Sequence, residues 1–154
     1  MQDVRTNDSA TLSNFIWKVA DDLWGDFKHT DFARIIIPLL LLRRLECVLE
    51  PTKEAVLKEY ESEKDSGFDL DLILPSFSGL PFYNISQYSL DSLGGTNTRA
   101  NLEDYISKFS DNVRVIFEEF GFINTIHELD KARLLYRMTR QFAAIDLHPD
   151  VVSD

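Results

Sequence analysis

A single cysteine, Cys47, occurs in a chain of 154 residues, so no disulfide forms within the chain and a reducing compartment suits it. Histidine is almost as scarce: His29, His127 and His148 stand apart in sequence, none with a cysteine at metal spacing, so no metal site is expected. No G-x-G-x-x-G and no Walker loop occur, and Gly94 and Gly95 stand in a polar turn with no strand before them, which excludes a recognisable phosphate or cofactor cradle. There is no G-x-S-x-G for nucleophilic catalysis. Acidic neighbours such as Asp21 and Asp22, or Glu118 and Glu119, diverge on a helix and suit a solvated face better than acid–base chemistry. No catalytic, cofactor-binding or metal-binding residue is therefore expected. Basic residues are in deficit, 16 against 26 acidic ones, and at a net charge of −10 the chain repels nucleic acid on average. Any contact with DNA needs a local basic patch or a basic partner.

Long apolar runs are missing too. The longest, IIIPLLLL at 35–42, is far short of the roughly 20 residues of a membrane span and is bounded by Arg34 and by Arg43 and Arg44. The opening residues MQDVRTNDSA lack the apolar stretch of a signal peptide, so a cytoplasmic protein without a membrane partner is expected. What the chain does have is 44% hydrophobic and 12% aromatic residues, which excludes disorder and suits one domain with a real core. No internal repeat or low-complexity segment is visible.

The densest apolar pattern lies in residues 12–50. Leu12, Phe15, Ile16, Val19, Ala20, Leu23 and Trp24 fall on one face of a 3.6-residue period, with Thr11 placed to cap that helix and Gly25 to stop it. A second helix follows with Thr30 as its cap and Asp31 in its first turn. Its middle is apolar all round, so it must be central, and Leu40 and Leu41 are expected deep in the core. Pro38 removes one helical hydrogen bond there, and a kink fitted to the core suits it better than a hinge.

Residues 1–10 look like a flexible polar tail, which leaves 11–154 as the helical domain. Pro51 fits the first turn of a third, mostly solvated helix, TKEAVLKEYESEK. Across about 66–97 the helical period vanishes amid Gly67, Pro75, Gly79, Pro81, Gly94 and Gly95, which predicts a long irregular loop with room for one small hairpin. Loops of this length are often functional. Its aromatics Phe68, Phe77, Phe82, Tyr83 and Tyr88 suit anchoring to the core better than stacking on bases.

Helices resume at Thr98 and at Ser110 or Asp111, the latter helix stopped by Gly121. A short turn around Ile123–Leu129 precedes a last long helix over 130–145. There Leu134, Leu135, Met138, Phe142 and Ile145 cluster on one side, while Arg133, Arg137 and Arg140 lie within about 60° of each other on the other. The stripe is either a solvated face paired with neighbouring acids or a site for phosphates or an acidic partner. Residues alone thus lead to an all-α, multi-helix bundle-like domain with no visible active site.

The segments LSNFIWKVADDLWGDFKHTDFARIIIPLLLLRRLECVLEPT and LEDYISKFSDNVRVIFEEFGFINTIHELDKARLLYRMTRQFAAIDLHPDVVS, with FYNIS between them, carry a resemblance. The most distinctive phrases are Phe15-Ile16-Trp17, Asp21 to Trp24, Leu39 to Leu45, Asn112-Val113-Arg114, Leu134-Leu135-Tyr136 and Ile145 to Ser153. In this order they resemble the N-terminal helical domain of the modification (DNA methyltransferase) subunit of type I restriction-modification systems. The resemblance implies a parent that transfers a methyl group from S-adenosylmethionine to N6 of adenine in a specific DNA sequence. It implies as partners a specificity subunit, a second modification subunit, a nuclease-translocase subunit and DNA. The family's glycine-bearing cofactor turn and its N-P-P-F or N-P-P-Y motif lie downstream of this domain, and neither occurs here: no proline of this chain follows Asn. The expectation is a non-catalytic domain for assembly and for closing over DNA, which requires the reading frame to continue past Asp154 into about 300 or more residues. The competing expectation is a free-standing helical adaptor for protein partners with no DNA role.

Overall fold

In the computed structural model, residues 4–151 are described, with side chains from residue 10 onward. Eight helices are present among them: α1 Val4–Leu23, α2 Phe32–Leu49, α3 Lys53–Glu63, α4 Leu70–Ser78, α5 Thr98–Ser107, α6 Asp111–Glu119, α7 Phe122–Lys131 and α8 Leu135–Ala144. The described residues contain no strand, so the architecture is the all-α bundle expected from the periodicity.

Helix α2 packs on α1, α7 and α8, while α3 packs on α4, and α5 and α6 join the bundle through α7. Ile35, Leu39 and Leu42 are completely buried along it, and Pro38 is buried inside an unbroken helical span. The helix is not enclosed on every side, however. Ile37 is 48% exposed, and Leu40 and Leu41 are only partly buried, which corrects the expectation that they lie deepest. A helix whose flank is left open by its neighbours keeps apolar residues at the rim. Across the core, Phe109, Phe117 and Phe122 form a chain of rings with centroids 5.8 and 5.5 Å apart, and Phe142 meets Phe15 edge-on at 4.9 Å.

Several boundaries differ from those expected. Of the polar stretch 1–10, residues 4–10 are helical and residues 1–3 lie outside the described residues. Thr11 therefore sits inside α1 instead of capping it. Ser, Asn, Asp and Thr favour caps but oppose a helix interior only weakly. Gly25 ends α1 as expected, with φ +102°. Thr30 does not cap α2 but lies in a 3-10 turn, His29–Asp31, that leads into it. In the expected loop at 66–97, a complete helix, α4, is present. Asp69 caps it by accepting the Asp71 N–H at 2.9 Å, and Gly79 closes it in the left-handed region with its N–H on the Pro75 carbonyl. The residues that looked like loop punctuation are the caps of a short helix. Leu74 buries against Val56 of α3 and Tyr83, outweighing the hydrogen bond that Pro75 removes.

The small hairpin is absent. Residues 83–85 pair instead with the turn after α5, through Ile85 N–H to the Lys108 carbonyl (3.0 Å) and Ser110 N–H to the Tyr83 carbonyl (2.9 Å). The loop aromatics divide: Tyr83 is buried and Phe82 and Tyr88 pack on the core, whereas Phe68 is 69% exposed.

Candidate functional site

The arginine stripe depends on where α8 begins. A helix through 130–145 would put Arg133, Arg137 and Arg140 in one row, but α7 ends at Lys131 and α8 starts at Leu135. Arg133 occupies the left-handed region at φ 62°, the residue just past α7. Leu134 N–H bonds back to the Leu129 carbonyl at 2.9 Å and Arg133 N–H to that of Asp130 at 3.0 Å. This is a Schellman closure made without glycine, with buried Leu134 as its apolar plug. Nothing in D-K-A-R marks a break, since all four residues tolerate a helix.

Arg137 and Arg140 remain together, one turn apart on the exposed face of α8, while Arg133 is exposed on the preceding turn. Arg137 lies 3.6 Å from Asp22 of α1 and keeps 62% of its side chain exposed. Asp22 also accepts a hydrogen bond from Gln141. Arg140 donates to the Asp91 carbonyl at 3.1 Å. Each of the two helical arginines thus has one local partner and donors to spare, because a guanidinium carries five N–H groups.

Beside this face, α2, α3 and the 84–92 segment enclose a polar cleft of about 460 Å³. Its floor is Glu46, a buried carboxylate that the sequence patterns do not single out. Oε1 accepts from Arg43 at 2.6 Å, and Oε2 accepts from the Tyr105 hydroxyl and the Leu90 N–H, both at 2.8 Å. Burial, with the Glu46 carboxylate beside it, pushes the Tyr105 phenol well above its usual range. Lys53 stands 5.6 Å from the centre of the Tyr105 ring and donates to the Tyr88 carbonyl. Burial lowers its pKa, opposed by the carboxylates of Glu46, Asp91 and Glu50. These charges hold the 84–92 segment against α2 and α3, and both oxygens of Glu46 are engaged, by three donors in all. As arranged, the cleft is a polar joint between elements. The only sequence signal for it was a glutamate three residues after Arg43, in the helix with the densest apolar run.

The histidines are dispersed as their spacing suggested, with one exception. His29 is exposed, and His127 pairs with Glu103 at 2.8 Å. His148 comes close to Cys47, 101 positions earlier in the chain, through a contact that spacing could not reveal.

Trp17 on α1 and Trp24 just past its end are 69% and 70% exposed, which corrects the expectation that Trp24 shares the apolar face of Val19 and Leu23: the helix has ended at Leu23, and the ring is left open to solvent. Aromatic side chains of this size left open are typical of interfaces. The profile of the HsdM N-terminal domain matches residues 12–142, from α1 to within α8. The chain belongs to this family. It contains the N-terminal domain found in modification subunits of type I restriction-modification systems. Comparison with curated proteins and with solved structures gave no match. The family match spans the arginine face, Trp17 and Trp24 and most of the cleft, and leaves the 143–151 segment outside it. No helix among the described residues is long and apolar enough to cross a membrane.

Proposed function

We propose that this domain serves assembly and DNA clamping in a cytoplasmic type I methyltransferase whose full-length modification subunit methylates adenine N6 with S-adenosylmethionine. The observation that carries this reading is the family match over 131 of 154 residues. In the proposal, the domain itself holds no cofactor. It joins its modification subunit to the specificity subunit and to a second modification subunit, and through them to the nuclease-translocase subunit and DNA.

Two surfaces support the reading. The exposed Trp17 and Trp24, on α1 and just past its end, offer a partner the rigid aromatic area that assembly needs. The exposed Arg133, Arg137 and Arg140 offer bidentate donors to phosphates or to an acidic surface. At −10 overall, the domain alone lacks the net basic surface that drives nonspecific binding, so the arginines act only in the complex.

The test is Arg133→Gln, Arg137→Gln and Arg140→Gln combined in the assembled methyltransferase. DNA binding is expected to weaken and the salt slope to fall by up to about one unit per lost phosphate contact, with the preferred sequence unchanged. Unchanged affinity and slope in an intact assembly would remove the arginines from the DNA path. Failure to assemble would place them at a protein interface instead.

A further inference from the structure

The segment leaving α8 is clamped to the C-terminal half of α2. Arg43 Nε donates to the Ile145 carbonyl at 2.8 Å, the Arg44 guanidinium donates to the Leu147 carbonyl, and Ile145 and Leu147 bury against Cys47. This register brings Cys47 Sγ, a carboxylate oxygen of Asp146 and a ring nitrogen of His148 within 4.8 Å of one another. Cys47 is fully buried, His148 half-buried and Asp146 exposed, so protein closes one side of the triangle and solvent reaches the other. His148 has a further partner: Nε2 lies 3.0 Å from Glu50 Oε2, while Nδ1 lies 2.6 Å from Asp146 Oδ1.

We propose that Cys47, Asp146 and His148 bind one divalent transition-metal ion of the zinc class, with Glu50 orienting the imidazole. Sulfur, imidazole nitrogen and one carboxylate oxygen form a donor set suited to Zn²⁺ or Co²⁺; Mg²⁺ and Ca²⁺ require oxygen cages. A carboxylate on Nε2 holds the ring proton there and turns the Nδ1 lone pair toward the ion, the usual support for a ligating histidine. Around tetrahedral Zn²⁺ the donor atoms are about 3.3–3.8 Å apart, so the 2.6 Å Nδ1–Oδ1 pair opens by about 0.7 Å while the distances to the sulfur, at most 4.8 Å, close by up to about 1 Å. The exposed Asp146 side chain has room for that movement. Burial holds the Cys47 thiol above its usual range, only partly offset by the Leu147 N–H and Arg43, so the ion itself must displace the thiol proton. Binding displaces two protons to solvent, the thiol proton of Cys47 and the one between His148 Nδ1 and Asp146. Thiolate, carboxylate and neutral imidazole then balance the 2+ charge, with water in the fourth position. The ion would staple the 145–148 segment to α2.

The whole 154-residue chain, stripped with a chelator, is titrated with Co²⁺. One equivalent is expected to produce the thiolate-to-cobalt charge-transfer band and the strong visible bands of a four-coordinate ion, with one equivalent of Zn²⁺ bleaching both. Because Cys47 is the only cysteine, the charge-transfer band reports on this residue alone. Cys47→Ser is expected to abolish the band. His148→Gln should weaken Co²⁺ binding at least 10-fold, and Glu50→Gln about 10–100-fold. Zn²⁺ should raise the melting temperature of the unsubstituted chain and not that of His148→Gln. Should Cys47→Ser fail to fold by circular dichroism, His148→Gln, at a half-exposed position, carries the test. A charge-transfer band absent from the unsubstituted chain, cobalt bound at one ion per two chains, or an affinity unchanged in His148→Gln would each overturn the proposal.

Discussion

Replacing Glu46 tests whether the domain is held together by its buried carboxylate as well as by its apolar core. Glu46→Ala removes the acceptor of three donors at once: the Arg43 guanidinium, 13% exposed, the buried Leu90 N–H, and the Tyr105 hydroxyl on a side chain 2% exposed. Breaking a buried ion pair from one side costs about 3–5 kcal/mol, since the surviving charge loses its partner without regaining water. Here Arg43 keeps the Ile145 carbonyl through Nε and borders a cleft that admits water, so the lower end, about 3 kcal/mol, is expected. Glu46→Gln keeps the shape and one acceptor oxygen, but its amide cannot accept from both Leu90 and Tyr105 at the second position. About 1–3 kcal/mol follows, the usual range for hydrogen bonds to a charged group. Tyr105→Phe removes one donor and costs a similar amount. The double variant Glu46→Ala/Tyr105→Phe should cost less than the sum, because the hydroxyl is already orphaned in the first variant. Urea unfolding followed by circular dichroism measures all four variants. A Glu46→Ala unfolding free energy within about 0.5 kcal/mol of the parent's, or strict additivity with Tyr105→Phe, would show that the carboxylate is dispensable and the reasoning wrong.

Leu39 is fully buried and Leu41 only partly so; in the same assay Leu39→Ala should cost about 2–5 kcal/mol and Leu41→Ala clearly less. Equal losses would mean that α2 is enclosed on every side after all. For these 154 residues, isothermal calorimetry should detect no S-adenosylmethionine binding; micromolar affinity would place a cofactor site in a domain proposed to have none. Gel-shift titration of duplex DNA with the isolated chain should show weak or no binding at physiological salt, as its charge of −10 demands, and tight binding would overturn the view that the arginines need the complex.

Local periodicity was enough for much of the fold. Helices α1, α5 and α6 and the gross position of α2 follow from apolar residues repeating at helical spacing, and Gly25 and Gly121 stop helices where a positive φ is needed. The family was legible as well, because phrases such as Phe15-Ile16-Trp17 and Leu134-Leu135-Tyr136 are short-range and survive without coordinates. Tertiary structure decided whatever depends on which neighbours arrive. Helix α4 exists despite Pro75 because Leu74 finds a buried place beside Val56 and Tyr83, and the α7–α8 break exists because Leu134 plugs a closure that Arg133 makes in a glycine's conformation. The partial exposure of Leu41, the pairing of Glu46 with Tyr105 and Leu90 and the meeting of Cys47 with His148 depend on contacts between distant segments. Spacing along the chain records what each residue can do, but distances across a bundle are set by packing, which joins positions about 100 residues apart as readily as those one turn apart.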